Sequence, residues 1–115
     1  MPFYDQAIET APRERLHTLQ LQRLERLLQE ISGRNRFYTK KWKEAGIVAP
    51  EMLSFPDFQK LPFTCKSELT RAQEEAPPFG TNATYSVDAY TRVHQTSGTT
   101  GTPLRVVDTP ESWEW

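Results

Sequence analysis

HQTSGTTGTP, residues 94–103, packs five hydroxyl side chains and two glycines into ten positions. It sits between two runs of strand character, YTRVHQT (Tyr90 to Thr96) and PLRVVDT (Pro103 to Thr109), in which β-branched residues alternate with polar ones. The texture changes after Asp88, and the periodic segments before it are helical. A helical layer that leads into a strand–loop–strand unit predicts an α/β or α+β fold. Gly98 and Gly101 permit backbone angles that other residues avoid, so successive N–H groups can point into one concavity. Ser97, Thr99, Thr100 and Thr102 add hydroxyl donors without fixed charge. That combination suits a polyphosphate which must be held and then released. It is not a Walker A loop, because no lysine follows either glycine.

Upstream, Leu16, Leu19, Leu24, Leu27, Leu28 and Ile31 recur three or four apart and form one apolar stripe, predicting a helix over 11–32. Thr10 is its expected N-cap and Gly33 its stop. A second helix is expected from Arg36 to Ala45, with Gly46 ending it and Ile47 packing back on Trp42. Ser54 and Pro56 begin a short turn of helix. Thr64 or Cys65 caps another through Glu75, with Glu68 near its start. APPFGTNATY, residues 76–85, is too rich in Pro, Gly and Asn for regular structure. Thr109, Pro110 and Glu111 write a further helix start: N-cap, N1 proline and early acid. Few residues remain from there, so the chain is expected to be part of a longer domain.

The chain has 115 residues, 37% of them hydrophobic, with 15 acidic and 14 basic side chains. That length is one domain at most, and a formal charge of −1 gives no basic excess for nucleic acid or an anionic membrane. The single cysteine, Cys65, leaves no internal disulfide and suits a reducing compartment. No apolar run is long enough to span a bilayer, so a cytoplasmic location is expected.

Other candidates are weaker. His94 and Ser97 invite a nucleophile–base reading, but no G-x-S-x-G elbow surrounds the serine and no acid is evident in the sequence. His94 is better read as a hydrogen-bonding residue in its strand, and His17 as a surface residue. Cys65 beside Lys66 at a helix start could be a thiolate, but a semi-buried structural cysteine is the simpler expectation. Arg34, Arg36, Lys40, Lys41 and Lys43, interleaved with Phe37, Tyr38 and Trp42, read as a solvated helix face rather than an RNA surface.

TSGTTGTP resembles the phosphate-binding signature of the adenylate-forming superfamily of acyl-CoA synthetases. One branch, the phenylacetate–CoA ligase family, matches more widely. IETAPRERLHTLQLQRLERLL resembles its opening helix and NRFYTKKWKEAGI its N-R/P-F-Y…A-G segment. LPFTCKSEL is similar to its L-P-F-T-x-K-x-x-L segment, and TRVHQTSGTTGTP to its strand and loop. The resemblance implies an N-terminal helical region over 1–80 and, over 81–115, the start of an adenylation domain. It also implies use of ATP, Mg²⁺ and coenzyme A to convert a carboxylic acid, an aromatic one such as phenylacetate, through an acyl-adenylate. Thr96, Ser97, Gly98, Thr99, Thr100 and Gly101 would bind the ATP phosphates, and no residue of these 115 would be catalytic. Neither nucleic acid nor membrane is implied as a partner, and a homodimer is compatible with the family. Many relatives carry lysine where this chain has Thr102 or Leu104. Lys66, near a helix start, is the candidate for the missing cation, and Arg105 is its rival. The alternatives are a non-catalytic helical or phosphate-binding module, or an adenylating enzyme with a non-CoA acceptor.

Overall fold

The computed structural model describes residues 2–48, 50, 54–98 and 101–115. Helices dominate it, and its strands form one small antiparallel pair. The helices are α1 (Gln6–Glu9), α2 (Arg13–Ile31), α3 (Arg36–Glu44), α4 (Phe55–Gln59), α5 (Lys66–Glu75) and α6 (Pro110–Glu114). A 3₁₀ turn, Val87–Ala89, precedes strands β1 (Arg92–Gln95) and β2 (Arg105–Asp108). Helix and strand are segregated along the chain, so of the two expected classes the described residues take the α+β form.

The apolar stripe of α2 finds its partner in α3. Leu28 and Trp42, each 4% exposed, form the core contact, and Leu24, Ile31, Tyr38, Ile47 and Leu61 pack around it. Helix α3 ends as its sequence predicts. The Gly46 N–H donates to the Lys43 carbonyl and the Ile47 N–H to that of Trp42, and Ile47 folds back on the core. This is the hydrogen-bond pattern of a Schellman end. Leu27 departs from the expected stripe: it is 51% exposed. The stripe is wider than the face that α3 covers.

Two further expectations are corrected. Thr10 does not cap α2. It ends the short helix α1, where its hydroxyl donates to the Gln6 carbonyl, and Pro12 takes the N-cap position of α2 without a side-chain bond. The break comes from Pro12, whose ring fixes φ and offers no N–H to continue α1. His17 is not simply a surface residue; it is half-buried and packs edge-on against Phe55 of α4 with ring centroids 5.0 Å apart.

Polar bonds join the layers. Asn35, 3% exposed, accepts from the Tyr38 N–H as N-cap of α3 and donates to Asn82 Oδ1 and Thr84 Oγ1 across the fold. Lys41 of α3 is paired with Glu68 of α5, and Glu68 also reaches back 2.7 Å to the Cys65 N–H. The basic cluster is thereby partly spent: Arg34, ahead of α3, pairs with Glu30 of α2, and Lys40 with Glu44. Trp42, read in the sequence as part of a solvated face, is instead buried in the core.

Two measurements test these joints. Asn35→Ala removes a cap worth about 1 kcal/mol and leaves its cross-layer partners short of a donor, so melting should show a loss of about 2 kcal/mol. The Lys41 ammonium, and then the Cys65 N–H, hold the Glu68 carboxyl below its ordinary range. A depressed carboxyl stabilises the fold above its unfolded value, and that contribution is lost as pH falls through the folded one. The stability gap between wild type and Glu68→Gln should therefore be present at neutral pH and close on acidification below the carboxylate range.

Candidate functional site

Strands β1 and β2 pair antiparallel with Arg92 opposite Asp108, Val93 opposite Val107, His94 opposite Val106 and Gln95 opposite Arg105. The connection between them is the hydroxyl- and glycine-rich stretch. Its base is closed twice: the Thr96 N–H donates to the Leu104 carbonyl at 3.0 Å, and the Leu104 N–H donates to Thr96 Oγ1 at 2.9 Å. Within the loop the Gly101 N–H donates to the Gly98 carbonyl at 3.1 Å, making a turn. Gly98 has φ +67°, and a Cβ there would stand 2.7 Å from Pro103 Cγ and 2.9 Å from the Gly101 carbonyl oxygen. Only glycine meets both the left-handed backbone and the closeness of Pro103.

The exit limb of the loop is held from the helical layer. Gln73 of α5, 3% exposed, donates from Nε2 to the Pro103 carbonyl and accepts at Oε1 from the Arg105 N–H, both at 2.8 Å. Arg105 Nη1 reaches the Pro78 carbonyl at 3.2 Å. The 77–80 turn itself lies on α5, since a Cβ on Gly80 would come within 3.0 Å of the Gln73 backbone.

On the outer face of the hairpin, His94 Nε2 lies 3.0 Å from Asp108 Oδ2 and its ring stacks on Trp113 at 5.0 Å, while the Arg92 guanidinium sits over the same indole at 5.1 Å. His94 is thus turned to Asp108, as a hydrogen-bonding strand residue. Asp108 is the acid that no sequence neighbour of Ser97 supplied, but it fixes the imidazole rather than completing a triad. An open groove of about 810 Å³ runs between α2, the 79–85 segment and β2, with walls that include Arg23, Leu27, Tyr85, Tyr90, Val107 and Trp115. There Tyr85 donates to Glu30, whose carboxylate, with burial, raises the phenol above its ordinary range. The groove reaches Leu104 and the start of β2 at Arg105 but is not lined by Thr96, Ser97, Gly98 or Gly101.

The six loop positions therefore differ in what they can offer a ligand. Thr96 Oγ1 and the Gly101 N–H are engaged in closing the loop, Gly98 supplies its geometry, and Ser97 is exposed. Thr99 and Thr100 lie outside the described residues. Lys66, the first residue of α5, is exposed; Gln73 lies seven residues on, about 10 Å along the helix axis. Cys65 is exposed rather than semi-buried, because it stands at the N-cap of α5 with its N–H directed to Glu68. Among the described residues there is no group of three or more His, Cys, Asp or Glu able to hold a metal ion. No described helix is long and apolar enough to cross a membrane. Sequence reasoning missed Gln73. A lone glutamine in a polar helix carries no signal, and its role depends on a segment thirty residues away.

No model of a known protein family matches the chain. Among curated proteins it is similar to phenylacetate–coenzyme A ligase of Thermus thermophilus, with 38% identity over 103 residues, 90% of this chain and 22% of that protein. It is also similar to phenylacetate–coenzyme A ligase of Escherichia coli, with 34% identity over 99 residues, 86% of this chain and 22% of the relative. The chain thus spans about a fifth of the curated relatives it matches. Among solved structures, 2-hydroxyisobutyryl-CoA ligase in complex with 2-HIB-AMP and CoA superposes in two states. The thioesterification state gives a TM-score of 0.84 at 31% identity over 98% of this chain and 25% of the ligase. An open conformation gives 0.83 at 28% identity over 98% and 27%.

The loop geometry makes a prediction independent of any ligand. Gly98→Ala forces a side chain into a left-handed position, costing about 1–2 kcal/mol, and crowds the Pro103 ring. Amide exchange at Gly101 and Leu104, the two N–H groups that close the loop from its far side, should accelerate roughly tenfold. Amides of the α2–α3 core should stay unchanged.

Proposed function

The chain belongs to the phenylacetate–coenzyme A ligase family of adenylate-forming enzymes, and we propose that it contributes the ATP-phosphate loop of a carboxylate–CoA ligase. In that reaction a carboxylate oxygen attacks the α-phosphorus of ATP, and the bond to the bridging oxygen breaks to release pyrophosphate. A thiol, that of coenzyme A, then attacks the acyl carbon and displaces AMP. The observation that carries the reading is the preformed turn at Gly98 with exposed Ser97 beside it, in a chain similar to these ligases. The loop would bind and orient the β- and γ-phosphates, so that its contribution is positioning and dispersal of charge. The acid would be an aromatic one such as phenylacetate, on the strength of the relatives' names alone. Mg²⁺ would accompany the triphosphate, and the described residues offer it no clustered carboxylates. No observation favours a non-catalytic module.

Departing pyrophosphate develops negative charge that hydroxyls and amides stabilise less well than a cation does. Arg105 is engaged with the Pro78 carbonyl, whereas Lys66 is exposed at the start of α5. Lys66 would therefore be the group that approaches the phosphates.

The test is ATP-dependent pyrophosphate release by the polypeptide carrying this sequence, against a panel of carboxylic acids that includes phenylacetate. Release with an aromatic acid is expected. In the same assay Lys66→Ala should lower ATP use roughly ten- to a hundredfold, about 1–3 kcal/mol of transition-state stabilisation, with melting nearly unchanged. No release with any acid would sink the ligase reading. Normal turnover by Lys66→Ala would return that lysine to the surface.

A further inference from the structure

We infer that Gln73 is a positioning residue for ATP: through one buried side-chain amide, helix α5 fixes the exit limb of the loop that would hold the phosphates. The inference rests on the phosphate-loop reading above.

The geometry is specific. A buried amide left without partners costs far more than it returns, so a glutamine at 3% exposure has to be satisfied. Gln73 is satisfied by backbone alone, and on both sides of a single residue: its Nε2 donates to the Pro103 carbonyl and its Oε1 accepts from the Arg105 N–H. The side chain thus takes the place that a neighbouring strand would take beside Leu104. Leu104 bonds in turn to Thr96 by both its N–H and its carbonyl, and Pro103 is the ring against which Gly98 is packed. Gln73, Leu104, Thr96 and Gly98 therefore form one linked path from the helical layer to the loop. Four-residue strands do not hold such a loop by themselves.

Two neighbours brace the clamp. Gly80, at φ +81°, lies on the Gln73 backbone so closely that a Cβ would stand 3.0 Å from it, and Arg105 reaches over to the Pro78 carbonyl. The 77–80 turn, α5 and the loop exit are accordingly a single joint. Lys66 stands at the other end of the same helix, so a rigid α5 would also fix its distance from the loop.

A residue acting in this way should affect ATP and leave the acid alone. Gln73→Met keeps the volume and removes both bonds; Gln73→Glu keeps the acceptor and, when protonated, restores a donor to Pro103. Both would be made in the polypeptide carrying this sequence and followed by ATP–pyrophosphate exchange, with KM for ATP and for the carboxylate measured separately. Amide exchange at Arg105 reports the clamp in the same proteins. Gln73→Met should raise KM for ATP about tenfold or more, leave KM for the acid within about twofold, and speed exchange at Arg105. Gln73→Glu should behave likewise near neutral pH and recover towards wild type as pH is lowered, with KM for ATP following the Arg105 exchange rate while KM for the acid stays constant, a split that a merely structural role would not produce. Should Gln73→Met fail to fold, the pH dependence of Gln73→Glu decides. Faster Arg105 exchange with KM for ATP unchanged, an equal rise in both KM values, or no recovery of Gln73→Glu at low pH would each overturn the inference. A wild-type protein without pyrophosphate exchange would instead sink the phosphate-loop reading, and this inference with it.

Discussion

A β-hairpin with four-residue strands is marginal in water, and any loop it carries is only as ordered as whatever holds the hairpin. Here that constraint is met by hydrogen bonds from a buried glutamine amide to backbone on either side of Leu104. The helical layer thereby serves the loop. Helix α5 is tied to α3 by the Lys41–Glu68 pair, and α3 is tied to α2 by Leu28 and Trp42. The order of Pro103 and Leu104 is inherited through that series.

The balance between apolar and polar contacts follows from size. Leu28, Trp42 and Ala72 are the buried apolar side chains among the described residues, which is a small core for this length. Asn35 and Gln73 are buried beside them, and every donor and acceptor they use goes to an identified partner. Buried amides of this kind add little net stability but punish misplacement, because a lost partner leaves a dry polar group. They specify where the 81–84 segment and the loop exit must lie. Apolar contacts alone would let those segments slide.

The loop divides its polar groups between two tasks. Thr96 Oγ1 and the Gly101 N–H close the ring, and the exposed Ser97 hydroxyl is left for other contacts. A site built from preformed dipoles loses little on reorganisation when charge arrives. The Pro103 ring beside Gly98 leaves no room for a Cβ, so this position admits glycine alone.

Much of this was legible in the sequence, because it depends on neighbours in the chain. The period of Leu16 to Ile31, the Gly46 stop with Ile47, the Thr109–Pro110 start and the strand–glycine–strand pattern are local signals, and the helices from α2 onward, the hairpin and the need for glycine at 98 followed from them; the short helix α1 did not. The family likeness was legible for the same reason, being carried by short contiguous motifs. The errors were also local in origin: Thr10 fits a cap, yet Pro12 decided the boundary, and Leu27 fits the stripe, yet α3 does not reach it. What the tertiary structure alone decided are the contacts between distant segments. Asn35 meeting Thr84, His94 turned to Asp108, and Gln73 clamping residues 103 and 105 depend on which surfaces the folded layers bring together. Sequence spacing holds no record of that, since a glutamine on a helix reads the same whether it faces water or a backbone thirty residues away.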